Sequence, residues 1–145
     1  MTNEQIFDSP RERVNEHLSR YLATDGEDGY IWNDVPTLLL TTRGRRSGLL
    51  RRTALIFGRD SDRYLLIASR GGAPTHPLWY ENLQVNPEVI LQVKGEIISG
   101  LATTATGEER ERLWALMAAI WPAYNSYTKK TSREIPLVVV APTKS

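Results

Sequence analysis

The chain has 145 residues, 41% apolar and 24% charged, with eighteen basic side chains against seventeen acidic ones, the balance of one globular domain with room for a core. There is no cysteine and only two histidines, His17 and His76, which excludes disulfides, thiolate nucleophiles, iron–sulfur clusters and multi-histidine metal sites, so no metal is expected. The longest apolar runs, such as 136–142, are too short to span a bilayer, and the polar, acidic N-terminus does not read as a signal peptide, so a cytoplasmic location is expected.

Ser9-Pro10-Arg11-Glu12 reads as a helix start, with Ser9 capping, Pro10 at the first helical position and Glu12 completing a capping box. Val14, Leu18, Tyr21 and Leu22 follow at helical spacing. Gly26 and Gly29 end this helix, over about 9–25, in an acidic loop. Its plain role is packing over the domain; a lid or a contact with the inner face of a membrane is the sharper reading. From Thr37 the period changes. Residues 37–42 form a strand, 43–48 a turn, 50–57 a second strand, 58–62 a polar turn and 63–69 a third strand. Consecutive strands across short turns are read as antiparallel neighbours. After the loop 71–74, Pro77 opens a short helix that Asn86-Pro87 stops. Residues 88–94 alternate as a strand, Gly95 turns it, and 96–104 return. Thr106-Gly107-Glu108-Glu109 is a second capping box, launching a helix with Leu113, Leu116, Met117 and Ile120 on its apolar face. Pro122 interrupts it, the aromatic segment 121–127 follows, and 135–141 is a last apolar strand. The expectation is one domain over 1–145, mainly β with flanking helices (α+β), built as a small closed or partly open antiparallel barrel.

Three segments can carry chemistry. From Arg43 to Arg52 there are five arginines and no acid. In the turn, Gly44 and Gly48 permit positive torsions, Ser47 and turn amides can donate to an anion, and Arg45, Arg46 and Arg51 offer guanidinium forks suited to phosphate or carboxylate. A solubilising hairpin turn is the plain alternative. Ser69-Arg70-Gly71-Gly72 leaves backbone bare where a flat group can lie. Next to it, Trp79 reads as structural and His76 as either a general acid or a loop contact. Trp121, Tyr124 and Tyr127 recur every three residues and share a helical face, as a buried stripe or as an aromatic wall over a ligand. Pro122 favours an irregular, exposed segment there. Together these features suit a flat, anionic ligand without choosing between a flavin, a deazaflavin and a nucleotide.

At these residues the chain resembles the deazaflavin-dependent nitroreductase family of actinobacteria. LLLTTRGRRSG, ASRGGAPTHPLWYENLQVNPEV, WPAYNSY and IPLVVV occur in family order over about 37–142. The resemblance implies an FMN-binding-like split β-barrel and bound coenzyme F420, a deazaflavin with a phospholactate and oligoglutamate tail. By position, it places Arg45, Arg46, Ser47, Gly48 and Arg51 at the phosphate and tail, and Ser69, Arg70, Gly71 and Gly72 at the ring or its ribityl-like chain. Leu78, Trp79 and Asn82 match the helix beside the coenzyme. Trp121, Tyr124 and Tyr127 match the segment bordering the substrate. The implied reaction is hydride transfer from the reduced coenzyme to a small electron-poor quinone, enone or nitro compound. Tyr124, Ser69 or solvent would supply the proton. Ala54, Ile56 and Trp121 depart from the proline, tyrosine and tyrosine of prodrug-reducing members.

The competing expectations are an FMN-dependent oxidoreductase on the same barrel and a non-catalytic F420 carrier. A nucleic-acid partner is not expected at a net charge of +1. A monomer or weak homodimer is.

Overall fold

Strands form where apolar residues alternate or run unbroken, and their buried faces set the curvature of one sheet. The computed structural model describes residues 5–8 and 12–143; the cap expected at Ser9 and Pro10, and the side chains of Glu12 and Val14, lie outside that description. The elements are β1 (Ile6–Asp8), α1 (Glu12–Ala23), β2 (Ile31–Trp32), β3 (Val35–Arg43), β4 (Leu50–Ile56), β5 (Gly58–Asp60), β6 (Arg63–Ile67), a 3-10 turn (Arg70–Gly72), α2 (Leu78–Val85), β7 (Glu88–Val93), β8 (Glu96–Thr104), α3 (Gly107–Ile120), α4 (Ala123–Tyr127) and β9 (Leu137–Pro142).

The strands hydrogen-bond in the order β1-β4-β3-β7-β8-β9-β6-β5, with β2 added to β3. Pairing is antiparallel except between β1 and β4. Leu38, Leu40, Leu66, Leu91, Val138 and Val140 fill the interior of the curled sheet. Leu113 and Met117 of α3 and Tyr124 of α4 cover Leu65, Leu137 and Val139 on its outer side. Leu18 and Tyr21 of α1 cover Leu39. The Tyr21 hydroxyl fixes α1 to β3 and to the turn between β7 and β8, donating to the Thr37 carbonyl at 3.1 Å and accepting from the Lys94 amide at 2.6 Å. Packing over the sheet is therefore what α1 does.

The barrel is split. β1 pairs with β4 only at Leu50, Arg51 and Arg52, and β5 pairs with β6 only at Arg63, Tyr64 and Leu65. Among the described residues, no strand covers the outer edge of β4 at 53–56 or of β6 at 66–67. These two bare edges face each other across the split, because β4 and β6 lie close without pairing.

Several sequence expectations need correction. The second and third long strands are not neighbours, since β6 pairs with β5 and β9 instead. The polar turn at 58–62 is in part strand β5, and Gly58 is buried within it. A β-carbon there would lie 2.6 Å from Met117 Sδ, so the glycine lets α3 close on the sheet. The capping box at Thr106 does not form. Its side chain makes no cap hydrogen bond, Gly107 has a φ of +60°, and Glu109 pairs with Arg63 at 3.5 Å. Strands β1 and β2 were not anticipated; each is only two or three residues long, too short to show a period.

Candidate functional site

The split between the two bare strand edges holds a cleft of about 900 Å³, at the upper end of ordinary small-molecule sites. Ala54, Leu55 and Ile56 of β4 form one side, and Ile67, Ser69 and Gly71 continue from β6 on the other. Trp121, Tyr124 and Tyr127 close one wall; Glu16, His17 and Arg20 of α1, with Thr37 and Trp32, complete the lining. Ala54, Ile56 and Trp121, the three positions of departure noted in the sequence, all sit in this cleft.

Its aromatic wall arises at a break between helices. The proline at 122 allows α3 to end at Ile120 and α4 to start at Ala123, so Trp121 and the two tyrosines turn one way. Trp121 Nε1 donates to the Tyr127 hydroxyl at 3.4 Å, and the Tyr124 and Tyr127 rings meet edge to face with centroids 6.1 Å apart. Tyr124 is only 5% exposed. It is at once a member of the cluster under α3 and α4 and a wall of the cleft. Burial, then the neighbouring Tyr127, push its hydroxyl well above the ordinary tyrosine pKa, so it keeps its proton at neutral pH. Neither the Tyr124 hydroxyl nor that of Ser69 makes a hydrogen bond to any described residue, while both residues line the cleft.

Ser69 and Gly71 owe their position to Arg133, which sequence reading missed. Its guanidinium donates to the carbonyls of Ala73 at 2.8 Å, Ala68 at 3.2 Å and Ser69 at 2.7 Å, and to His76 Nδ1 at 3.1 Å. The loop after β6 is thus strapped by one side chain from the segment before β9. Desolvation first, then the adjacent Arg133 charge, lower the His76 pKa, against a weaker pull from Glu81. A neutral imidazole bound to arginine and outside the cleft lining is a loop contact, not a general acid at neutral pH. Gly71 (φ +63°) has open space where a side chain would stand. Gly72 is buried, and a β-carbon there would lie 2.9 Å from the Tyr127 carbonyl oxygen; its bareness lets α4 approach. Arg70 is exposed and donates to Thr75 Oγ1 at 2.6 Å.

The arginine turn joins β3 to β4 and borders a second cavity of about 480 Å³, lined by 43–48, Val85 and Asn86. Three of its five arginines are engaged. Arg43 donates to the Gly48 carbonyl at 2.7 Å, Arg52 holds Asp8 of β1 at 2.6 Å, and Arg45 pairs with Glu81 at 3.3 Å. Asn82, 5% exposed, accepts from the Arg45 amide and guanidinium, both at 3.2 Å, and donates to Thr42 Oγ1 at 3.2 Å. It braces the turn against α2. Arg46 and Arg51 have no acidic partner among the described residues; Arg51 lies over the Phe7 ring at 5.4 Å. Ser47 Oγ accepts from the Leu49 amide at 3.1 Å, and Gly48 (φ +73°) stands in open space. Leu78, 65% exposed, and Trp79, packed on the inner cluster, line neither cavity.

A cleft in a split barrel with a separate basic turn is the arrangement to set beside known proteins. The F420H(2)-dependent quinone reductase family model matches residues 13–142. The chain belongs to that family. An F420H(2)-dependent quinone reductase of Mycobacterium tuberculosis is 37% identical over 128 residues, 86% of each chain. Among solved structures, one described as a domain-swapped dimer has a TM-score of 0.70 and 38% identity, covering 91% of this chain and 99% of that one. The F420-H2 dependent reductase FDR-A has a TM-score of 0.68 and 39% identity, covering 72% of this chain and 93% of its own. At 15% identity, HutZ of Vibrio cholerae (TM-score 0.60) shares the fold alone, over 90% of both chains. The fold is an FMN-binding-like split barrel, and the family member described here is an F420-dependent oxidoreductase. No helix among the described residues is long and apolar enough to cross a membrane, and they hold no cluster of metal-ligating side chains.

Proposed function

We propose that this chain reduces quinones with F420, holding the coenzyme's anionic tail at the arginine turn and its ring in the cleft. The observation that carries this reading is the cleft itself: two bare strand edges, an aromatic wall and two hydroxyls without a partner among the described residues, those of Ser69 and Tyr124. Arg46 and Arg51 fit a polyanionic tail because no carboxylate among the described residues neutralises them, and Ser47 with the open backbone at Gly48 adds donors beside them. From Arg51 to Leu55, strand β4 runs about 13 Å toward the cleft, so one extended ligand can touch both. Gly71 leaves room for a flat ring, and the uncovered edge of β4 offers backbone donors and acceptors to its polar rim. When bound, the reduced coenzyme supplies a hydride, which with one proton converts a quinone to its hydroquinone. The protein orients the two rings and excludes water, with Trp121, Tyr124 and Tyr127 against the acceptor and Tyr124 or Ser69 holding the proton. One similar solved chain is described as a domain-swapped dimer, which supports self-association of this chain.

The test is on the tail. Arg46→Ala and Arg51→Ala should each lose one charge-assisted contact, about 1.5–3 kcal/mol or roughly ten- to a hundredfold in affinity for F420. Affinity should also fall as salt rises. Unchanged affinity in both variants, or salt-independent binding in the parent, would place the tail elsewhere.

A further inference from the structure

Trp32 is a large aromatic side chain of the cleft that neither the core nor the chemistry above uses. It stands outside the three buried clusters and is 44% exposed, yet it lines the cleft and meets Trp121 with ring centroids 5.5 Å apart at 43°. Its backbone is not loose. Strand β2 folds back on β3 with Trp32 opposite Val35, through a two-residue turn in which Asn33 (φ 47°) and Asp34 (φ 67°) both take the left-handed conformation. That is a tight hairpin whose twist matches its strands, built from the two residue types other than glycine that tolerate it best. An indole carried on such a fixed backbone, and packed near Trp121, is an apolar surface whose ordering cost on binding is reduced.

We infer that Trp32 is a specificity-determining residue which, with Trp121, selects fused-ring quinones over single-ring ones. The inference rests on the quinone reading above and deepens it. Two touching indoles present an aromatic surface wider than one ring. A benzoquinone held for reaction beside Tyr124 covers little of it, whereas a second or third fused ring extends over it. The cleft volume of about 900 Å³ leaves room for such an acceptor beside a coenzyme ring. Glu16, His17 and Arg20 on α1 give the same cleft a polar side and β4 and β6 give it aliphatic residues, so the extended aromatic surface comes from the tryptophans and tyrosines.

The experiment compares Trp32→Ala and Trp32→Phe with the parent protein, using unsubstituted benzoquinone, naphthoquinone and anthraquinone as acceptors. For the alanine variant, KM for the fused-ring quinones should rise about three- to tenfold, the range of a single aromatic contact. KM for benzoquinone should move less than about twofold by the same reasoning, and F420 affinity and melting temperature should stay unchanged. Phenylalanine should restore part of the loss. An equal rise for all three quinones, or no rise for any, overturns the inference. Equilibrium naphthoquinone binding, followed by tryptophan fluorescence, tests it without turnover: an unchanged dissociation constant in Trp32→Ala, or no binding by the parent, counts against Trp32. Failure of the quinone reading would look different, with no turnover of any quinone by a parent protein that binds F420.

Discussion

Tyr124 combines two properties that seldom meet in one residue, a ring packed in the core and a hydroxyl with no partner among the described residues. The first follows from its place over Met117 and Leu137, the second from the cleft beside it. Removing the hydroxyl therefore breaks no hydrogen bond to a described residue. Tyr124→Phe should melt within about 0.5 kcal/mol of the parent, well below the 1–3 kcal/mol cost of orphaning a buried partner, and should bind F420 as before. Its turnover should fall in a substrate-dependent way, by about tenfold or more where the hydroxyl supplies the proton, measured with a quinone and an enone side by side. A large melting shift with equal rate losses on both substrates would make it a purely structural tyrosine. The three-residue spacing of Trp121, Tyr124 and Tyr127 was legible as a shared face. That Tyr124 is buried was not, because a proline next to it suggested exposure and the covering residues come from distant strands.

Among the elements, the loop after β6 shows how a site can depend on chain far away. Four hydrogen bonds from Arg133 hold it, and no local pattern marks that arginine, since its partners lie 57 to 65 positions earlier. Arg133→Lys cannot reproduce the planar fork. It should weaken F420 binding and destabilise the fold by about 1.5–3 kcal/mol for each charged bond lost, as read by titration and melting. His76 gives the strap a pH dependence. Its pKa is depressed in the fold, so below about 6.5, the ordinary imidazole value, the unfolded chain takes up a proton that the folded chain resists. Stability then falls as pH falls. His76→Asn keeps a polar side chain that does not titrate, and should flatten that slope; an equally steep slope in the variant would assign the effect to another group. Arg45 and Arg52 illustrate the same limit in the basic turn. Their richness in positive charge was plain from sequence, but which arginines stay available depends on Asp8 and Glu81, brought in by β1 and α2.

In the molecule as a whole, the candidate site lies where the sheet fails to close. The barrel was readable from alternating segments separated by short turns, and β3, β4, β7 and β8 fall within a residue or two of expectation. The split was not readable. It depends on β1 and β5 each stopping after three residues, and on β6 choosing β9 as its partner, pairings that leave no periodic trace. The ordered motifs of the resemblance pointed to the right family, while geometry adds what they lacked: the α1 side of the cleft, the Arg133 strap and Trp32. In the proposed function, one cleft and one basic turn select F420 and use it to reduce a quinone. Quinone-dependent oxidation of reduced F420, measured beside the same assay with reduced FMN, tests this most directly. Saturable turnover is expected with F420 and little with FMN; equal turnover with FMN, or tight F420 binding without turnover, would overturn that function.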